Sequence, residues 1–299
     1  MASDNSRQHN NQDFQLTELF NVNGKVALVT GGGSGIGLMA VQALAVNGAK
    51  VYICGRTEEK LDTVAKTYTQ DIPGQIIPIV ADVSKKDDVK KLYSEIAQKE
   101  EKLDILVNNA GISTTTVNTE AGSADELKAA LFDNEEVTYE DWAAVYSTNV
   151  SQIYFMTTAF LPLLQKAAES QHGSSGSVIN IASISGQVMT TQHHPQYNAS
   201  KAAAIHLSRM LAHEVQKNGL TIRINDISPG VFPSEMTTQE SGANQKSHIP
   251  KEQHEGKTPA ARPGNDRDMA SAVLFVATNT FLNGQTITVD GGYTLVAGR

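Results

Sequence analysis

The feature that most constrains this chain is a short apolar run, Lys25-Val26-Ala27-Leu28-Val29-Thr30, ending on the turn Gly31-Gly32-Gly33-Ser34-Gly35-Ile36-Gly37. An apolar run of this length without polar alternation reads as a strand covered on both faces. The residues after it, 35–47, have helical composition and stop near Gly48. The rhythm then repeats: apolar runs at 51–54, 76–80 and 103–107 alternate with helical segments at 58–68 and 86–99. Strands joined through helices pair in parallel, and the helices cover both faces of the sheet. The expected fold class is therefore α/β, one doubly wound parallel sheet. Later segments extend it: a long helix over 139–168, a strand over 177–181, a helix through 199–211, a strand over 220–227, a helix over 266–277 and a strand over 285–289.

Two stretches break the rhythm, 113–138 and 231–265, both rich in polar residues and glycine. Irregular segments of that length in a compact domain are functional or flexible. A short helix over 124–132 is expected inside the first. Nothing between them reads as a linker, so residues 23–299 are expected to form a single domain, with residues 1–22 as an N-terminal arm. The first 13 residues are rich in Asn and Gln, lack the apolar core of a signal peptide, and read as disordered. The 299-residue chain carries a net charge of -8 with no basic block, which argues against nucleic acid or an anionic membrane as its main partner. No apolar run is long enough to span a bilayer. The single cysteine, Cys54, precludes an internal disulfide and fits a reducing, cytoplasmic compartment.

Chemistry concentrates in Tyr197-Asn198-Ala199-Ser200-Lys201. Residues four apart on a helix share a face, so Tyr197 and Lys201 are expected to project together. An ammonium beside a phenol favours the phenolate and lowers its pKa toward working pH, which makes the pair an acid/base. The plain alternative is a surface pair on a helix. The glycine turn has the context that gives such a motif meaning, after a strand and opening a helix. Glycines in such a turn permit a tight bend and a close approach of backbone and helix to neighbouring groups. A flexible glycine-rich turn is the competing reading.

In order along the chain stand the glycine turn, Asn108-Asn109-Ala110-Gly111, Asn149, Ser183, Tyr197 with Lys201, Pro229-Gly230, and Asp290-Gly291-Gly292. Their order and spacing resemble the short-chain dehydrogenase/reductase family, in its form of about 250 residues, over residues 23–293. The resemblance implies a Rossmann fold and an oxidoreductase that moves a hydride between a nicotinamide and a carbonyl or alcohol carbon. It implies a catalytic tetrad of Asn149, Ser183, Tyr197 and Lys201. Ser183 would hold the substrate oxygen and Lys201 the nicotinamide ribose. Asn149 would distort its helix and anchor a proton relay; an interior helical Asn is otherwise a polar residue on a wet or interface face. The serine assignment stays open between Ser183, three residues before Gly186, and Ser185, because the segment up to Tyr197 is one residue longer than the pattern.

The same resemblance places the cofactor along Gly31, Ser34, Gly35, Ile36 and Gly37, then Asp82 and Val83, where Asp82 would accept from the adenine amino group or instead cap a helix. Asn109, Ala110 and Gly111 would border the ribose, with Asn108 tying strands together. Pro229, Gly230, Phe232 and Ser234 would meet the nicotinamide carboxamide. Ser185, Gln187, His193 and Met236 are candidates to line the substrate pocket. No metal site is expected. NAD-dependent relatives carry an acid at the end of the second strand; here Gly55 takes that place and Arg56 follows. NADP(H) is therefore expected over NAD(H), unless Arg56 is only a solvent-facing helix-start residue. The family also implies a homo-oligomer, a dimer or tetramer. A finer likeness, through Ser234-Glu235-Met236-Thr237, runs to fungal and bacterial 3-oxoacyl and natural-product ketone reductases. A non-catalytic dinucleotide sensor or an interaction protein on the same fold is the alternative from another class.

Overall fold

The computed structural model describes residues 11–170, 175–254 and 256–298. Seven strands form one sheet: β1 (Val26–Thr30), β2 (Lys50–Gly55), β3 (Gln75–Val80), β4 (Ile105–Asn108), β5 (Gly176–Ile181), β6 (Ile222–Pro229) and β7 (Thr286–Val289). Their order is β3-β2-β1-β4-β5-β6-β7, and every pairing is parallel. The helices are α1 (Leu16–Leu19), α2 (Gly35–Ala45), α3 (Glu58–Tyr68), α4 (Lys86–Lys99), α5 (Ala124–Leu131), α6 (Tyr139–Tyr146), α7 (Gln152–Glu169), α8 (Pro195–Lys217), α9 (Glu235–Thr238), α10 (Asp266–Thr278) and α11 (Tyr293–Ala297). The expected doubly wound parallel sheet is thus present.

The apolar runs are continuous because both faces of the sheet are covered. In β1, Ala27 and Val29 join a core with Leu38 and Leu44 of α2, Leu61 of α3 and Val273 of α10. Val26 and Leu28 point the other way, toward Leu92 of α4, Phe160 of α7 and Leu211 of α8. Period-two side chains in a two-sided sheet bury the central strands on both faces, while the edge strands β3 and β7 stay partly exposed. The chain leaves β1 toward β2 on one side and later returns to place β4 on the other. This reversal opens a crevice at the carboxyl ends of the strands, where ligands bind in open α/β sheets.

The structure departs from the sequence reading in several places. The single helix expected over 139–168 is two helices, α6 and α7, joined by a π-helical turn at Ser147–Ser151 that contains the buried Asn149. Strand β6 begins and ends two residues later than expected, running on through Pro229 to the cleft. In the N-terminal arm, residues 1–10 lie outside the described residues, so their expected disorder is not addressed. Asn11–Phe14, however, forms a 3-10 turn, and Val22, expected within the arm, is buried in the core. The irregular 231–265 stretch contains α9 and a second short turn, Lys251–His254.

Candidate active site

A cleft of about 380 Å³ opens where the strands end. Each strand from β1 to β6 delivers its last residues or the turn beyond it. Gly31, Ser34, Gly35 and Ile36 follow β1; Gly55 and Arg56 end β2; Asp82 and Val83 follow β3; Asn109, Ala110 and Gly111 follow β4. Ser183 follows β5, and Pro229, Gly230, Phe232, Ser234 and Met236 follow β6. Tyr197 and Lys201 reach the same cleft from α8. Sequence positions 170 residues apart thus meet because parallel strands all end on one side.

The glycine turn forms a cradle that larger residues would fill. Gly31 has φ +65, and a Cβ there would lie 2.9 Å from Asn109 Nδ2. Gly37 does not line the cleft; it lets α2 rest on β1, since a Cβ on it would lie 2.1 Å from the Gly31 carbonyl oxygen. Asn109 ties the turn to β4, donating from Nδ2 to the Thr30 carbonyl at 2.9 Å and the Gly31 carbonyl at 3.1 Å. A bare backbone at a helix N-terminus is a fitting seat for a pyrophosphate. Across the cleft Arg56 is exposed, with no hydrogen bond or ion pair to any described residue, and no carboxylate ends β2. The donor set therefore fits a dinucleotide.

Asp82 lines the cleft but is not a helix cap. Its Oδ1 accepts from Ser84 N at 3.1 Å and Ser84 Oγ at 2.7 Å. Burial alone would raise this carboxyl, but the bonds from Ser84 and Lys85 outweigh it and hold the group below the usual carboxylate range. Asn108 ties strands as expected, donating to Asn180 Oδ1 at 2.8 Å.

At the catalytic end, Lys201 is buried and its Nζ donates to the Ile181 carbonyl at 2.8 Å. Burial lowers its pKa to about 8, partly offset by the negative charge of Asp226. The Lys201 ammonium lies 5.6 Å from the Tyr197 ring centroid. The expected lowering of the Tyr197 pKa is not what the environment produces. Burial pushes the phenol up to about 12, with a nearby Ser183 hydroxyl offsetting part of that shift. Desolvation of the phenolate is the larger effect, and the Ser183 hydroxyl opposes it only in part. Tyr197 is consequently a phenol, a proton donor, throughout the neutral range.

Asn149 does not line the cleft. Its amide clamps the segment after β4: Oδ1 accepts from Ile112 N at 2.8 Å, and Nδ2 donates to Ile112 O at 2.9 Å and Ser200 Oγ at 3.0 Å. That clamp joins β4, the π turn and α8, and so fixes Lys201 against Gly111. Ser183 lines the cleft, whereas Ser185, the other serine candidate, donates to Gln192 Oε1 at 2.6 Å and faces away. Three of the four substrate candidates do not line this cleft. Ser185 is one. Gln187 bonds Thr288 Oγ1 at 3.1 Å, outside the cleft. His193 takes a left-handed conformation (φ +65) and clips the 113–138 segment, its carbonyl accepting from Val117 N at 2.9 Å. Nearness to a motif in sequence does not fix which way a side chain in a turn points. Only Met236 faces the cleft. His194 stands edge-on to Tyr197 at 6.5 Å between ring centroids. Burial and the neighbouring His193 lower its pKa.

Two further carboxylates stand near this site. Glu235 borders the glycine turn. Asp226 is fully buried on β6, and its Oδ2 accepts from Thr286 Oγ1 at 3.0 Å. Burial raises Asp226 to about 7 against the opposing pull of Thr286, Arg209, Ser228 and Lys201. Because its folded pKa lies above its unfolded value of 3.8, the folded state takes up a proton. The stability this confers is full below the unfolded pKa and is lost as pH rises through about 7. Asp226→Asn should therefore melt higher than the wild type at pH 8 than it does at pH 5, relative to the wild type at each pH. Parallel pH profiles of thermal denaturation would contradict this placement.

The sequence profile of short chain dehydrogenases matches residues 25–245. A short-chain dehydrogenase/reductase of Diaporthe leptostromiformis, PhomF, is 38% identical over 282 residues, covering 92% of this chain and 93% of its own. The rhamnolipids biosynthesis 3-oxoacyl-[acyl-carrier-protein] reductase of Pseudomonas aeruginosa is 34% identical, covering 92% and 98%. A solved Pseudomonas aeruginosa RhlG/NADP active-site complex superposes with a TM-score of 0.76 at 33% identity, covering 92% of this chain and 98% of that one. Among the described residues no helix is long and apolar enough to cross a membrane. With its parallel sheet, its strand-end cleft and these relatives, the chain belongs to the short-chain dehydrogenase/reductase family, whose members are oxidoreductases that bind a nicotinamide dinucleotide.

Proposed function

We propose that this chain is an NADP(H)-dependent reductase of ketones, running in reverse as a dehydrogenase of the matching secondary alcohols. The observation that carries the reading is one cleft with Ser183, Tyr197 and Lys201 at one end and the glycine turn with Arg56 at the other. When bound, the cofactor supplies or accepts the hydride. Gly31, Gly35 and Ile36 would seat its pyrophosphate, Asp82 and Val83 its adenine, Asn109 to Gly111 its ribose, and Pro229, Gly230, Phe232 and Ser234 its carboxamide. Ser183 and Tyr197 hold the substrate oxygen between two hydroxyls. As negative charge develops there, Tyr197 Oη gives up its proton, and the Lys201 charge stabilises the phenolate left behind. Asn149 keeps the lysine-bearing helix and the segment after β4 in register.

A 3-oxoacyl thioester as the ketone is favoured by the likeness to the Pseudomonas aeruginosa reductase. The test is oxidation of NADPH with a panel of simple ketones and 3-oxoacyl thioesters. Substrate-dependent oxidation is expected. A protein that binds the cofactor but turns over no carbonyl or alcohol would instead be a dinucleotide sensor.

The cofactor choice rests on Arg56, which has no ion-pair partner among the described residues and stands beside an end of β2 without an acid. Arg56→Ala should weaken NADPH by about tenfold or more, as for a lost charge-assisted hydrogen bond, and leave NADH nearly unchanged. Titration of both cofactors checks this; equal weakening would mean that Arg56 does not read the 2′-phosphate.

A further inference from the structure

Beside the glycine turn, the cleft is bordered by a carboxylate to which the sequence assigns no role of its own. Glu235 opens α9, immediately after Ser234, and its carboxylate turns toward the turn rather than toward solvent. Oε1 accepts from Lys60 Nζ at 2.6 Å and from Ser241 Oγ at 2.6 Å, and Oε2 accepts from Ser34 Oγ at 3.3 Å. Burial would raise this carboxyl, but the lysine and the two hydroxyls outweigh it and hold the group below the usual range. Glu235 is therefore an anion at neutral pH. The loop carrying it lies against the turn, since a Cβ on Gly35 would sit 2.8 Å from Ser234 Cβ.

Lys60 comes four residues after Arg56, on the first turn of α3, and its Cβ faces Gly33, 3.4 Å from where a Cβ there would lie. Lys60, Arg56, Ser34 and Glu235 line the same cleft. An ammonium with two hydroxyls is the donor set that a phosphate oxygen takes. In this structure the Glu235 carboxylate holds that set.

We propose that Lys60 is a second cation reading the cofactor's 2′-phosphate, and that Glu235 is the stand-in anion it releases when the dinucleotide enters. The proposal rests on the NADP(H) reading above. Two anions cannot share one lysine without mutual repulsion, so the carboxylate and the phosphate compete. Lys60 pairs with Glu235 while α9 lies on the turn, and with phosphate once the cofactor is seated. Cofactor loading and movement of the loop after β6 are then one exchange of partners. The lysine and the carboxylate are about a third exposed (37% and 31%), which keeps the competition modest and the exchange reversible.

Equilibrium titration of the full chain with NADPH and with NADH tests this without recourse to turnover. Lys60→Met keeps the apolar stem and is expected to weaken NADPH by about tenfold while NADH changes little. Lys60→Arg should restore the preference. Glu235→Gln removes the competing charge and should tighten NADPH by about threefold, an effect expected to vanish in the Lys60→Met background because the two residues form one pair. Equal losses for both cofactors in Lys60→Met would place the lysine on the pyrophosphate and overturn the proposal. So would an unchanged preference, or weaker NADPH binding in Glu235→Gln. A wild-type protein with no preference for NADPH would remove the NADP(H) reading itself. A wild-type preference that survives Lys60→Met would remove only the role of Lys60.

Discussion

Tyr197→Phe is expected to cut turnover by about 10²–10⁴-fold, the range for loss of a positioned general acid, while leaving cofactor affinity nearly intact. The ring stays, so the packing around α8 and the edge contact with His194 persist. What disappears is the phenolic hydroxyl beside Ser183, the most acidic hydroxyl lining the cleft, which burial keeps protonated at neutral pH by pushing it up to about 12. Lys201 cannot replace it from its bond to the Ile181 carbonyl. Steady-state rates with a matched ketone, together with cofactor titration, separate the two effects. Turnover near the wild-type level would remove Tyr197 from the chemistry.

Gly37→Ala should have the largest structural effect of any single methyl addition in the glycine turn. The new Cβ would lie 2.1 Å from the Gly31 carbonyl oxygen and 2.5 Å from Asn109 Nδ2. A backbone carbonyl cannot move aside without the turn, and the turn is bonded to Asn109 and, through the Gly31 N–H, to Cys54 O at 2.7 Å. Helix α2 must therefore lift from β1, where Leu38 and Leu44 are buried against the sheet. Overpacking of this kind costs about 1–3 kcal/mol or more, and the seat for the pyrophosphate shifts with the helix. Both melting temperature and dinucleotide binding should fall. Gly33→Ala is the control: its Cβ would meet Lys60 Cβ at 3.4 Å, Leu61 Cδ2 at 3.6 Å and Leu61 N at 3.9 Å, ordinary contact distances, and stability should hold. Equal, wild-type stability in both variants would contradict the close approach at Gly37.

Features set by local chemistry were legible in the sequence. The bounds of α3 (Glu58–Tyr68) and α4 (Lys86–Lys99) follow from composition and periodicity, and both match. The glycine turn is legible because few other residues can occupy it. Asn149 stood out as a polar residue inside a helix, but the π turn around it depends on bonds to Ile112 and Ser200, distant in sequence. Long-range partners also hid Glu235, whose lysine lies 175 residues away, and Asp226, which reads as one more polar residue in a strand. The direction of the Tyr197 shift failed for a related reason: a helix face predicts that Lys201 is near, and only the packed structure tells how deeply both are buried. Gln187 and His193 were placed by nearness to the motif, whereas left-handed residues at Gln192 and His193 turn that loop toward other partners.

The central claim is that this cleft brings a reduced nicotinamide to a carbonyl carbon. It is tested most directly by supplying NADPH deuterated at nicotinamide C4 together with ketone and 3-oxoacyl thioester substrates, and locating the label by mass spectrometry. The account predicts deuterium on the carbinol carbon of the alcohol, from one face of the nicotinamide only, with the rate collapsing in Tyr197→Phe. Alcohol product without label on that carbon, or no product from any substrate while NADPH binds tightly, would contradict it.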